Sequence, residues 1–192
     1  MNLYLSRFFF EKSPQGLGLL ENPHALHAVV RAMGGGERYL YRVETVRGAP
    51  ALLAQTLLHP DLTGLPEGAL RLVGVKRLDP SFLREGTPYR FLLQANLVEQ
   101  KKGRATRFLS LDEAVERAKW AIRGAEVAVI EAHRLRPLKV QRPGVKPFSI
   151  DVVEFRGVLT VRDREAFFDV LSRGVGRARG YGLGLLSLAP LR

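Results

Sequence analysis

NPHALHAVVRAMGGGERYLYRVETVRGAPALLAQTLL, residues Asn22–Leu58, passes from a helical to a strand pattern. Leu26, Val29, Val30 and Met33 fall at i, i+3, i+4 and i+7, the spacing of one buried helix face. Asn22 is a good N-cap, Pro23 suits the first helical turn, and Gly34-Gly-Gly36 stops the helix. Arg38–Glu44 and Pro50–Leu58 then read as two strands around an Arg47-Gly48 turn. Upstream, residues 2–10 read as a first strand. Downstream, after a stretch punctuated by Gly and Pro, Pro88–Val98 reads as another. The order β-α-β-β-(loop)-β is a ferredoxin-like half with a short or irregular second helix.

The second half repeats this composition. Residues 101–107, Lys-Lys-Gly-Arg-Ala-Thr-Arg, form a basic loop. Leu111–Arg123 reads as a helix with Ser110 as N-cap and Glu113 as its capping-box partner. Glu126–Val140 and Phe148–Phe155 read as strands flanking Arg142-Pro143-Gly144, and Gly157–Val161 as a further strand after a tight turn. Arg164–Leu171 reads as a helix and Leu183–Leu188 as the closing strand. The expected class is α+β: two tandem ferredoxin-like (βαββαβ, RRM-like) domains, residues 1–100 and 101–192. No low-complexity linker separates them, so tight packing is expected.

Composition narrows the function classes. The 192 residues are 46% hydrophobic, enough for a folded core. No apolar run approaches a membrane span, and the apolar start lacks the basic flank and cleavage site of a signal peptide. A cytoplasmic protein with no membrane partner is expected. The absence of cysteine excludes disulfides, cysteine zinc sites and thiol nucleophiles. Net charge is +11, and residues 101–192 hold 19 Lys/Arg against 10 Asp/Glu, so the excess is one-sided. Such a distribution points to a polyanion.

His24, His27 and Arg31 cluster on a face of the first helix away from the apolar stripe. The positive end of the helix dipole disfavours imidazolium there and offers N–H groups to an anion. A neutral imidazole suits a general base. The competing readings are surface decoration and half of a metal site. No nearby Cys or acidic cluster supports a metal, and no cofactor is expected. His59, before Pro60-Asp61, reads as structural, and His133 lies in a basic strand.

From Ala132 to Ile150 there is no acid, while Arg134, Arg136, Lys139, Arg142 and Lys146 are basic. A hairpin so charged can follow RNA phosphates; the alternative is a solvated loop. Lys101, Lys102, Arg104 and Arg107 make a second basic loop. Few aromatics accompany them, which favours phosphate tracking of structured RNA over stacking on single strands. Gly174, Gly176, Arg177, Arg179 and Gly180 open a third candidate, a glycine-rich loop whose backbone N–H groups and arginines would clamp a phosphate. Its spacing is not that of a dinucleotide or P-loop motif.

Gly174-Val-Gly-Arg-Ala-Arg-Gly-Tyr-Gly-Leu-Gly-Leu-Leu-Ser-Leu-Ala-Pro190 resembles the C-terminal signature of CRISPR repeat-processing endoribonucleases of the CasE/Cse3 group, type I-E. Phe155–Val161, Ala118–Ile122, Tyr89–Asn96 and Tyr41–Glu44 continue the likeness in order, and Asn22–His27 matches the start of the family's catalytic helix. The resemblance implies a tandem ferredoxin-like pair that cleaves CRISPR precursor RNA beside the repeat hairpin without a metal. The RNA 2′-OH attacks, leaving a 2′,3′-cyclic phosphate and a 5′-hydroxyl. It further implies repeat RNA and other subunits of the type I-E surveillance complex as partners. The family's catalytic histidine falls on His27, and a tyrosine usual three residues earlier is His24 here. That imidazole either replaces the phenol as donor or positions phosphate, and which histidine is acid and which base stays open. Arg179 keeps the charge of a usual lysine; Leu97 replaces a usual proline. The rival reading is a non-catalytic scaffold subunit that only holds guide RNA.

Overall fold

The Arg47-Gly48 hairpin forms as expected. Val46 pairs with Ala49, and the two turn residues have φ 50° and 78°. Positive φ at both positions matches the right-handed twist of the flanking strands. The computed structural model describes residues 2–99 and 107–191, which divide into two compact units.

The first unit holds β1 (Leu3–Phe10), α1 (Pro14–Glu21), α2 (Pro23–Met33), β2 (Tyr39–Val46), β3 (Ala49–Thr56) and β4 (Leu70–Leu78). The strands form one antiparallel sheet in the order β2-β3-β1-β4. Phe8, Phe10, Leu26, Val30, Met33, Tyr41 and Leu52 make its core between sheet and helices. Each large side chain so buried contributes roughly 1.5–3 kcal/mol. Helix α1 was not foreseen. Ser13 caps it, accepting from Gly16 N at 2.9 Å and donating to the Gly68 carbonyl at 2.6 Å. Strand β4 was not foreseen either. It is an edge strand, mostly exposed, carrying Arg71, Gly74, Lys76 and Arg77, and so lacks the apolar alternation of a half-buried strand.

In the second unit the chain runs through β5 (Pro88–Ala95), β6 (Val98–Glu99), β7 (Arg107–Phe108), α3 (Leu111–Ala121) and β8 (Ala125–Arg134). A separate hairpin follows, β9 (Leu138–Arg142) and β10 (Val145–Ile150), then β11 (Val153–Val161), α4 (Arg164–Arg173) and β12 (Leu186–Pro190). The main sheet has the order β12-β5-β11-β8, all antiparallel. In local numbering this is 4-1-3-2, a full βαββαβ ferredoxin-like unit. The Ser110/Glu113 capping box forms at α3. Phe155, Leu159, Phe167, Ala114 and Ala118 are buried.

Three expectations change. The junction falls at Asp79/Pro80 and not near residue 100, because β5 hydrogen-bonds to β11 and β12. The long strand expected over 126–140 is two, β8 and β9, and 148–155 is likewise split between β10 and β11. No turn occurs before Gly157. β11 runs through it, and the register shift opposite leaves Ile130 as a bulge in β8. Residues 139–148 and 180–182 group with the first unit, although they lie far along the chain.

Candidate active site

Alternation along β2 puts Tyr39 and Tyr41 on one face. Asn22 and Pro23 set the start of α2, and His27 follows one turn later. The Tyr39 hydroxyl lies 2.6 Å from His27 Nδ1. Tyr41, 1% exposed, donates to the Gly180 carbonyl at 3.0 Å. Gly180 packs directly against the His27 ring. The His24 and His27 rings stack at 6.4 Å and 18°, and Tyr181 lies 6.0 Å from His27 at 31°. Phe148 meets Tyr181 edge-on at 6.1 Å. Gly180 is required for this closeness: a Cβ there would sit 3.0 Å from His27 Cε1 and Nδ1.

Burial pushes the His27 imidazolium below its usual pKa. The Gly180 carbonyl opposes that shift, while His24, Arg31 and Arg142 add to it as neighbouring positive charge. The direction agrees with the sequence reading, but the chief cause is desolvation. Burial raises Tyr39, so it stays a neutral hydroxyl. Nor is the start of α2 open to an anion. Asn22 Oδ1 accepts from the N–H groups of His24 and Ala25, both at 3.1 Å. His24 Nδ1 is buried with no hydrogen-bond partner among the described residues. These histidines join no cluster able to hold a metal, for no group of three His, Asp or Glu side chains converges among the described residues.

A cleft of about 850 Å³ lies beside the start of α2. Glu21, Asn22 and Pro23 form one wall; Lys139, Arg142 and Lys146 of the β9–β10 hairpin line the other. Gly144 turns the hairpin at φ 72°, and the Arg142 guanidinium reaches the Tyr181 hydroxyl at 3.5 Å. The expected basic hairpin thus exists, but in reduced form. Arg134 belongs to β8, where it pairs with Asp151 and donates to the Leu109 carbonyl at 2.6 Å. Arg136 is exposed in the connector between β8 and β9.

The other basic candidates also divide. Lys101, Lys102 and Arg104 lie outside the described residues. Arg107 forms a fork with Glu113 at 2.8 and 3.1 Å and meets Glu99 at 2.9 Å, so its charge is neutralised in place. In the glycine-rich loop several amides are already engaged. Gly174, Val175, Arg177 and Gly184 donate their N–H groups to Val170, Gly184, Asn96 and Gln94. Gly176 lets the backbone pass Asn96, where a Cβ would lie 2.8 Å from its carbonyl oxygen. Arg179 donates to the Arg173 carbonyl at 2.6 Å. Tyr39, Tyr41 and Tyr181 were missed by sequence reasoning. The Tyr39-x-Tyr41 alternation directly after the histidine helix was the available signal.

The family model described as CRISPR associated protein matches residues 3–190. The CRISPR-associated endoribonuclease Cse3 of Thermus thermophilus is 34% identical over 195 residues, spanning 89% of this chain and 92% of its own. The CRISPR system Cascade subunit CasE of Escherichia coli is 35% identical over 123 residues, 57% of this chain and 61% of its own. The structure of Thermus thermophilus Cse3 bound to an RNA representing a pre-cleavage complex superposes with TM-score 0.86 at 28% identity, covering 99% of this chain and 100% of that one. Escherichia coli Cas6e superposes with TM-score 0.75 at 25% identity, over 98% and 100%. No helix among the described residues is long and apolar enough to cross a membrane. With the βαββαβ topology and the histidine helix in place, these matches establish that the chain belongs to the CRISPR-associated protein family, in its CasE/Cse3 group.

Proposed function

We propose that this protein is an endoribonuclease that cuts CRISPR precursor RNA beside the repeat hairpin and uses no metal. His27 carries the reading. It is held from one side by Tyr39 and Gly180 and biased toward the neutral imidazole. As a neutral imidazole it takes the proton of the RNA 2′-OH. The 2′-oxygen attacks phosphorus, the bond to the 5′-oxygen breaks, and that oxygen takes up a proton. A 2′,3′-cyclic phosphate and a 5′-hydroxyl result. Arg31 and Arg142, whose charge already reaches His27, stabilise the phosphorane. Lys139 and Lys146 hold phosphates of the hairpin stem along the cleft. In the second unit Arg136, Arg177 and Arg179 contact RNA phosphates; in the first, His24 positions the scissile phosphate. The support from relatives is the catalytic name of the Thermus protein and the RNA in its structure. The name of the Escherichia coli relative supports a place as a subunit of the surveillance complex.

His27→Ala tests the assignment. Loss of a proton-transfer group should cost roughly 10²–10⁴-fold in cleavage, with hairpin affinity nearly unchanged. A 2′-deoxy substitution at the scissile nucleotide should block cleavage and permit binding, and EDTA should have little effect. Near wild-type cutting by His27→Ala would remove the assignment. Binding of hairpin RNA without cleavage by the unmodified protein would favour the scaffold role.

A further inference from the structure

We propose that Tyr39 is the positioning residue of this site, fixing the place and tautomer of the His27 ring through its hydroxyl at Nδ1. The inference rests on the reading of His27 as the proton-transfer group. The 2.6 Å contact is short, and it comes from a strand locked in register, with Tyr39 opposite Thr56 in the β2–β3 hairpin. No carboxylate takes this place: among the described residues no Asp or Glu hydrogen-bonds or ion-pairs with His27. A carboxylate would hold the imidazolium and resist its return to neutral. A neutral hydroxyl serves both forms. It accepts Nδ1–H from the neutral and the charged ring alike, which leaves the Nε2 lone pair to take the proton of the RNA 2′-OH. That matches a group that must gain and lose a proton in each turnover.

The surroundings leave this task to Tyr39. Facing His27 are His24 and Arg31 on α2, Arg142 on β9, Tyr41 on β2, Tyr181, and the Gly180 carbonyl. The fixed charges among these are positive and oppose the imidazolium. The Tyr41 hydroxyl is committed to Gly180. Tyr181 meets His27 through ring contact, and its hydroxyl faces Arg142 at 3.5 Å. Among the described residues, the Tyr39 hydroxyl is the uncharged side-chain group at hydrogen-bond distance from the ring.

Tyr39→Phe keeps the ring and removes the hydroxyl alone. Two readouts are needed. The first is the nitrogen-15 shifts and titration of the His27 imidazole by NMR, the signal being assigned by its loss in His27→Ala. The second is single-turnover cleavage of a saturating repeat-hairpin RNA across pH. Tyr39→Phe should change the Nδ1 shift and move the His27 midpoint to lower pH, because the imidazolium loses an acceptor. The plateau rate should fall at least tenfold, the same pH limb should move with the midpoint, and RNA affinity should stay within twofold. An unmoved Nδ1 shift, or a plateau rate within twofold of wild type, overturns the proposal. If His27→Ala cuts normally, the assignment of His27 fails, while the NMR arm still decides whether Tyr39 holds the ring.

Discussion

Gly180→Ala adds one methyl group against the His27 ring. The new Cβ would lie 3.0 Å from Cε1 and from Nδ1. Relaxed carbon contacts lie at about 3.5–4.0 Å, so the ring must retreat by roughly 0.5 Å. It cannot do so without lengthening the 2.6 Å contact to Tyr39 or pressing on Tyr181. If misplacement by about 1 Å costs ~100-fold, half of that costs about tenfold, or ~1.4 kcal/mol of activation free energy. The fold should not suffer. Gly180 is absent from the glycines with positive φ, so alanine fits its backbone and restricts the unfolded chain by about 0.4–1 kcal/mol. Single-turnover cleavage of repeat RNA should therefore drop about tenfold, while the Tm stays within about 3 °C of wild type. A cleavage rate within twofold of wild type, alongside an inactive His27→Ala, would refute the claim that the ring is held without slack.

The acid limb of the pH–rate profile should have its midpoint below the ordinary histidine value of 6.5, because burial lowers His27; as the base must be neutral, activity is lost as pH falls through that midpoint, and a midpoint above 6.5 would contradict the site's electrostatics. Lys139→Ala with Lys146→Ala should reduce the slope of log affinity against log salt by about 0.7–0.9 for each phosphate no longer neutralised, with stems of equal shape affected alike. Arg134→Ala should leave that slope unchanged and lower the Tm, since its charge is spent on Asp151 and the Leu109 carbonyl; a reduced slope in this variant would return Arg134 to the RNA surface. Ser110→Ala, which removes the acceptor for Glu113 N at 3.2 Å, should cost about 1 kcal/mol and a Tm fall of roughly 2–4 °C without altering cleavage; an unchanged Tm would show the cap to be idle.

Local chemistry was legible in the sequence. The Asn22 and Ser110 caps and the Arg47-Gly48 turn act within a few residues, and each formed. What depended on distant partners was not. β5 looks the same whether it closes the first sheet or opens the second; only its pairing with β11 and β12, far along the chain, decides. β4 hides behind its charges because an edge strand buries little. The same division runs through the site. His27 stood out from the apolar stripe of its helix, whereas Tyr39 and Tyr181 reach it through strand register and a loop return. The signs of Arg107 and Arg134 were plain. The carboxylates that answer them, Glu113 and Asp151, became visible only once the chain was folded.

The unit that carries His27 draws on residues 1–79, 139–148 and 180–182. During synthesis its sheet is complete once Leu78 has left the ribosome, but Arg142 and Gly180 are still to come. At about 5–20 residues per second, the remaining stretch of roughly 100 residues takes on the order of 5–20 s. Throughout that interval the nascent chain displays a histidine helix without the carbonyl or the basic hairpin that belong beside it. The order of residues along the polypeptide thus makes the histidine helix an early segment and its Gly180 neighbour a late one, so the site is complete only when nearly the whole described chain has been made.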